Sequence, residues 1–141
     1  TLKLTVTGVS ALNVSEPVDQ TTGLKSTPVS YTVKNTDSNL PANYKIYIYA
    51  NTANTMDISK IKVSTDGNAT TGNTARVLSS ITPTFTEGGK TYFQIDSGNL
   101  AAGANGATKY VRVWIDEDSI TSEITNKKVD LNMYIVSEVQ E

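Results

Sequence analysis

The sequence predicts an all-β fold, a two-sheet antiparallel sandwich with jelly-roll or Greek-key topology and about eight strands. Short segments along the 141 residues alternate polar and apolar side chains, which is the period of a strand with one buried face. Clusters of Gly, Asn, Asp, Ser and Thr separate these segments, as turns separate antiparallel strands. A helical period is almost absent, so we predict at most one short helix, over residues 119–126.

The first seven residues alternate without interruption and predict a strand at the start of the chain. Its apolar residues are Leu2, Leu4 and Val6. The segment that follows has only weak apolar pairs, interrupted by a proline and a glycine. The predicted organisation is an N-terminal strand over 1–9, a linker and edge segment over 10–28, and a single β-sandwich domain over 29–141.

Strands are predicted next over 29–34, 44–49 and 58–64. The segment 44–49 carries apolar or aromatic side chains on both faces, so we expect it to form a central strand. A turn-rich loop, 65–74, follows these three strands.

The second half of the chain begins with a strand over 77–86 that is interrupted near Pro83. Gly88 and Gly89 then permit the positive φ of a tight hairpin, and the predicted return strand covers 92–95. The clearest alternation of the chain follows, over 109–116 and 129–136.

The composition argues against catalysis. The chain has no Cys and no His, so it lacks thiol nucleophiles, the usual zinc ligands and the commonest general base. We therefore predict that the protein is not an enzyme and has no catalytic residues, no metal site and no cofactor. The net charge is −2 and the lysines are scattered, which argues against nucleic acid as a partner.

The polar residues are mostly Thr, Ser and Asn, a composition common in secreted and surface-displayed β-proteins. No apolar run approaches membrane-spanning length, so we predict no membrane span and a secreted, extracellular protein of the cell surface or biofilm matrix. We interpret Thr1 as a processed or engineered start. Asn13 and Asn68 lie in N-x-[ST] patterns and are candidate glycosylation sites.

The tightest carboxylate cluster is formed by Asp116, Glu117 and Asp118. Such clusters can bind calcium, but this one lacks the ordered ligands and the glycine of an EF-hand loop. Neighbouring strand residues also point to opposite faces and cannot easily bracket a glycosidic bond. A solvated turn at the end of a strand is the better interpretation.

Seven aromatic side chains, spread over several strands, have two interpretations. Flat rings with a polar rim suit a carbohydrate-binding surface. Aromatic residues distributed in this way also fill sandwich cores and form cross-strand pairs, and packing is the favoured interpretation. They are Tyr44, Tyr47, Tyr49, Tyr92, Tyr110, Trp114 and Tyr134.

The N-terminal strand has two interpretations as well. It can pair within its own sandwich, or it can complete the sheet of another molecule by β-strand addition. Three inserted apolar side chains contribute about 1.5–3 kcal/mol each, and several hydrogen bonds about 1 kcal/mol each. The sum is comparable with an association cost of about 4–15 kcal/mol. A donated strand would therefore need further contacts between subunits.

Two stretches resemble the TasA and camelysin-type surface proteins. The first comprises PVSYTVKNT over 28–36 and ANYKIYI over 42–48. The second is YVRVWIDED over 110–118 with the closing strand 129–136. In that family a TVKN strand, a turn and a Y-x-I strand open the sandwich. Its members are secreted bacterial matrix proteins, and archaeal bundling pilins share their architecture.

The resemblance implies jelly-roll subunits joined by donation of the mature N-terminal strand into the next subunit. By position, the donated segment here is 1–9, with Leu2, Leu4 and Val6 as the inserted side chains. The peptidase activity described for some camelysin-type proteins is not carried over, because this chain has no His and no metal-binding helix motif. The chain is also shorter than a full TasA chain, which suggests trimmed loops.

The leading hypothesis is a structural subunit of a pilus-like extracellular filament or biofilm matrix fibre. Its partners are other copies of itself, joined head to tail by donor-strand complementation. The alternative is a monomeric adhesive or carbohydrate-binding module of a surface protein, with surface glycans as partners. An enzyme is a distant third.

Overall fold

A computed structural model describes residues 5–7, 12–14, 17–26, 28–36, 39–65, 75–106, 108–120 and 127–139. Within these ranges the chain forms two β-sheets, one short α-helix and isolated 3-10 turns, which confirms the predicted all-β, two-sheet sandwich. Nine of the described strands have three residues or more and two have two residues, compared with the about eight predicted.

The first sheet contains the N-terminal strand at one edge. Its order is β1 (Thr5–Thr7), β4 (Val29–Lys34), β10 (Thr108–Asp116), β6 (Ile61–Ser64) and β7 (Arg76–Val77), and β3 (Pro17–Val18) pairs in parallel with the end of β10.

The second sheet is built around two long central strands. Its order is β2 (Leu12–Val14), β11 (Val129–Val139), β5 (Ala42–Ala50), β9 (Lys90–Leu100) and β8 (Thr84–Glu87). β5 lies between β11 and β9, as expected for a central strand. Most connections cross from one sheet to the other, which is typical of jelly-roll and Greek-key sandwiches.

The core lies between the two sheets and is formed by the apolar phase of each strand. Complete burial of side chains of this kind contributes about 1.5–3 kcal/mol each. The first sheet contributes Tyr31, Val33, Ile61, Val63, Val111 and Ile115, and the second contributes Tyr44, Ile46, Ile48, Phe93, Ile95, Val129, Leu131 and Met133.

A β-bulge interrupts the pairing of β5 with β9. Ile46 lies opposite Asp96 and Tyr47 lies opposite Gln94, so Ile95 has no counterpart on β5. The extra residue changes the phase of β9 relative to β5, so that beyond the bulge Gly98 and Leu100 lie opposite the buried Tyr44 and Ala42.

Tyr31 is buried in this core, and its hydroxyl has no hydrogen-bond partner among the described residues. Burial raises the pKa of Tyr31 above its ordinary value, and the nearby Asp96 and Tyr44 add to the shift. Because burial penalises the ionised form, the stability of the fold is independent of this group below its unfolded pKa of about 10 and falls increasingly as pH rises further.

We expect Tyr31→Phe to reduce the loss of folding stability at alkaline pH. For the unmodified chain, the contribution of Tyr31 to the free energy of unfolding should fall by up to about 1.4 kcal/mol per pH unit above pH ~10. Since the hydroxyl is buried without a partner, the substitution should leave stability at pH 7 unchanged or slightly higher. Urea unfolding at pH 7 and pH 11 measures both effects. Tyr134→Phe, on the exposed surface, is the control, and equal alkaline losses in the Tyr31 variant and the unmodified chain would contradict the prediction.

The segment predicted as a linker and edge, 10–28, is more structured than expected. It contains β2, β3 and a helix, α1 (Gln20–Lys25). Asp19 caps α1, since its carboxylate accepts a 2.7 Å hydrogen bond from the backbone N–H of Thr22. That bond lowers the pKa of Asp19. None of the helices in the described ranges is both long and apolar enough to cross a membrane.

Helix α1 covers the face of β10 that points away from the core. Trp114 and Arg112 lie on that face, and both are buried. The Arg112 Nε donates a 2.8 Å hydrogen bond to the carbonyl of Ser26, just after the helix. At the other end, the Lys62 Nζ donates a 3.1 Å hydrogen bond to Gln20 Oε1. The first sheet is therefore covered on both faces at this point.

Three local predictions have mixed outcomes. The hairpin at Gly88 and Gly89 is confirmed, with φ of 59° and 78°, and it joins β8 to β9. The strand predicted over 77–86 is wrong in its middle, because Leu78–Ser80 forms a 3-10 turn. The described residues contain an α-helix that was not predicted, α1; of the helix predicted over 119–126, residue 119 ends a 3-10 turn (Glu117–Ser119), and 121–126 lie outside the described residues.

Candidate functional site

The N-terminal strand β1 pairs antiparallel with β4 of its own chain. Val6 lies opposite Val33, and within the described ranges β4 is the only strand that pairs with β1. Leu2 and Leu4 lie outside the described residues. In the single chain, the described part of the N-terminal segment therefore lies at an edge of its own sheet. The donor-strand hypothesis predicts that in a fibre it lies in the sheet of a neighbouring subunit.

Strand β4 has a described neighbour on each edge. β1 pairs with residues 32–34, and β10 pairs with residues 29–32. The residues that would continue the register of β1 along 29–31 are 8–10, which lie outside the described residues. Because Tyr31 and Val33 anchor β4 in the core, this strand can stay in place when β1 leaves it. It would then present a row of free backbone N–H and C=O groups.

A second feature is a group of aromatic rings on the outer face of the second sheet, which we call the aromatic patch. Its rings belong to Tyr47, Tyr49, Phe85, Tyr92 and Tyr134.

The rings of the aromatic patch contact one another across four strands. Phe85 and Tyr92 are stacked at 4.5 Å between centroids, and Tyr47 meets Phe85 edge-on at 4.8 Å. Tyr49 lies 4.8 Å from Tyr92. Tyr134 is 5.3 Å from Tyr92 and is 43% exposed, the same fraction as Val139 further along β11. Such contacts stabilise the sheet by about 0.5–1.5 kcal/mol per pair beyond the area that they bury.

Polar groups border the aromatic patch at one end. Asn132, opposite Tyr49 in the pairing of β11 with β5, donates a 3.0 Å hydrogen bond from Nδ2 to Asn51 Oδ1. The Asn51 Nδ2 donates a 2.9 Å hydrogen bond to Asp130 Oδ1. We call Asn51, Asp130 and Asn132 the polar ladder. Its hydrogen bonds fix the orientation of both amides.

An open groove of about 300 Å³ adjoins the other end of the patch. Aromatic walls and charged groups share its lining: Asn43, Lys45, Tyr47, Phe85, Glu87, Tyr134, Val136 and Glu138. On the far side of the patch, the Lys90 ammonium lies 5.1 Å from the centre of the Tyr49 ring.

The structure separates the aromatic residues that the sequence grouped together. Tyr44 is in the core, Trp114 lies under α1, and Tyr110 is half-buried on the first sheet. The other four of the seven belong to the aromatic patch, together with Phe85, which the sequence analysis did not single out. The sequence signal that could have identified Phe85 is the alternation of β8, which places Phe85 on the same outer face as Glu87.

The three neighbouring carboxylates, Asp116, Glu117 and Asp118, lie in different environments. Asp116 is buried, and its Oδ2 lies 3.5 Å from the Lys62 Nζ. Glu117 and Asp118 are exposed in the 3-10 turn that follows. Within the described ranges, no three acidic side chains are close enough together to hold a metal ion.

The candidate glycosylation sites are only partly described. The backbone of Asn13 lies in β2 opposite Asp130 of β11, and Asn68 lies outside the described residues.

Comparison with known proteins gives no match, whether against family models, curated proteins or solved structures.

Proposed function

We propose that the protein is a structural subunit of an extracellular filament or biofilm matrix fibre, and that it polymerises by donating its N-terminal strand to the next subunit. The pairing of β1 with the edge of β4 is the observation that carries this proposal, because β4 of a neighbouring molecule offers the same edge to the same strand. The resemblance to TasA and camelysin-type proteins supports it from the sequence side. The acceptor is β4 of the neighbouring molecule, and the donor is the segment 1–9.

The interactions that hold β1 in its own sheet can be exchanged for the same interactions in another molecule. The three described residues of β1 pair with β4 through backbone hydrogen bonds, each with a net contribution of about 1 kcal/mol. The same bonds re-form when β1 reaches β4 of another molecule, as in domain swapping.

The length of the donor arm follows from the point at which the chain is anchored. β2 remains anchored to β11 in the second sheet, so the eleven residues before Leu12 form the arm that moves. Fully extended, this arm spans roughly 36 Å at about 3.3 Å per residue. Each subunit donates at one site and accepts at another, so the contact does not close on itself and gives an open fibre.

The proposal is tested by electron microscopy of the purified chain at rising concentration, with and without residues 1–7. The intact chain should form fibres and the truncated chain should not. Undiminished fibres from the truncated chain would refute strand donation.

Point substitutions in the donor provide a matched test. Leu4→Asp places a charge in the apolar phase of the strand and should block assembly. Lys3→Asp introduces the same side chain in the polar phase and should leave the fibres intact. Equal effects of the two substitutions would show that assembly does not depend on the apolar phase of the donor.

A second candidate function is adhesion to surface glycans by a module that does not polymerise. The aromatic patch favours it, because the exposed Tyr134 and the partly exposed Tyr49 and Tyr92, with polar neighbours, suit contact with sugars. Binding on a glycan array by a chain that stays monomeric in sedimentation would favour this candidate over the fibre.

A further inference from the structure

We propose that the aromatic patch and the adjoining groove bind an uncharged polysaccharide. The inference rests on the second candidate function and specifies its site and ligand class. It is compatible with a fibre subunit, since the patch lies on the second sheet and the donor and acceptor strands belong to the first.

The ring contacts favour a ligand that lies on the surface of the aromatic patch. A cage for a quaternary ammonium group needs rings that stand apart and surround the cation. Here Tyr47 and Phe85 are 4.8 Å apart, and each is 6.4 Å from Tyr134, so the rings pack against one another. Tyr134 is nevertheless 43% exposed. A pyranose ring matches this surface, since its C–H groups can contact an aromatic ring while its hydroxyls reach the border.

The border supplies hydrogen-bonding groups at both ends. In the polar ladder, the Asn132 amide is held by its bond to Asn51, and its Oδ1 is not used in that bond. The groove adds the Asn43 amide and the Lys45 ammonium. Its volume of about 300 Å³ is at the lower end of the range for small-ligand sites, which suits a short stretch of a longer chain.

The charges select the ligand class. The groove is lined by one lysine, Lys45, and two glutamates, Glu87 and Glu138, which gives it a net charge of −1. Recognition of carboxylated or sulfated glycans uses clustered cations, above all bidentate arginine. Both arginines lie elsewhere: Arg112 is under α1, and Arg76 donates to the carbonyl of Ile95. An uncharged polysaccharide is therefore the ligand that this surface fits.

Affinity electrophoresis of the full chain tests the inference. The gels contain a neutral polymer (hydroxyethylcellulose, galactomannan or dextran) or an acidic one (alginate, polygalacturonate or heparin). At least one neutral polymer should retard the protein, and the acidic polymers should not. Tyr134→Ala should weaken that binding about tenfold, which corresponds to about 1.4 kcal/mol of lost ring contact. Val139→Ala, equally exposed on the same strand, is the matched control and should bind normally.

The other outcomes overturn the inference in different ways. Retardation by none of the polymers would refute the glycan-binding candidate as a whole. Preference for an acidic polymer would refute the ligand class, and neutral binding unchanged by Tyr134→Ala would refute the site. If Tyr134→Ala instead alters self-association in sedimentation without any polymer, the aromatic patch is a contact between copies of the chain.

Discussion

When Thr7 and Thr32 are both replaced by cysteine, fibres oxidised after assembly should run as a ladder of covalent multimers on a non-reducing gel. These residues lie opposite each other in the pairing of β1 with β4. Directly opposed residues have Cβ atoms about 4.5–5.5 Å apart, close to the about 3.5–4.5 Å that a disulfide requires. If β1 is donated, each new disulfide joins two subunits.

We expect the opposite result, a loss of fibres, when the same variant is oxidised before assembly. In the monomer the two cysteines belong to one chain, so the disulfide holds β1 in its own sheet and should abolish fibre formation. A reducing agent should restore assembly. The chain has no native cysteine, so no other disulfide competes.

A second cysteine pair provides the matched control. Thr86 and Thr91 also lie opposite each other, but within the β8–β9 hairpin, which is closed by a two-residue turn. Cysteines there should form only intramolecular disulfides and should not affect assembly. Fibres of the Thr7/Thr32 variant that oxidise fully without intermolecular links would show that β1 stays in its own subunit, and strand donation would have to be abandoned.

The sequence predicted the strands because their alternation is a local property. β4 and β11 each bury one phase along most of their length and leave the other at least partly exposed, and their polar and apolar residues record this directly. The hairpin at Gly88 and Gly89 was predictable for a similar reason, since its turn needs positive φ at consecutive positions. These features depend on residues that are close together in the chain.

The aromatic patch depends on pairings between distant residues and was not predictable as a unit. Tyr134 meets Tyr47 through the register of β11 with β5. Tyr92 joins them because it lies opposite Tyr49, and Phe85 because it lies opposite Tyr92. No local pattern encodes the strand order or these registers, so most of the aromatic residues could be identified from the sequence but their grouping could not.

Helix α1 was missed because its six residues, QTTGLK, have no apolar period. Its local signal is the N-cap Asp19, which is weak when considered alone. A second hint lies in β10, whose outward phase contains the large aromatic Trp114. Tryptophan at such a position suggests a cover on the outer face, but the sequence does not show which segment supplies it.

We expect Gly23→Ala to destabilise the protein by about 1–3 kcal/mol, although the same change in an exposed helix would stabilise it by about 1 kcal/mol. A Cβ atom at position 23 would lie 2.6 Å from Cγ of Trp114 and closer still to two other atoms of the indole. Ordinary contact between carbon atoms is about 3.5–4.0 Å. The indole is 1% exposed and has little room to retreat, so the helix must shift.

Urea unfolding followed by circular dichroism measures the loss, and Thr21→Ala, on the exposed side of α1, is the control. Trp114→Phe should lower stability by itself but reduce the additional cost of Gly23→Ala, with a coupling of about 1 kcal/mol between the two sites. Unchanged stability in the Gly23 variant would contradict close packing of α1 on β10.

The position of α1 also bears on assembly, because three residues separate its end at Lys25 from the start of the acceptor strand at Val29. A shifted helix displaces the start of β4, so Gly23→Ala should also slow fibre growth in a chain whose donor strand is intact.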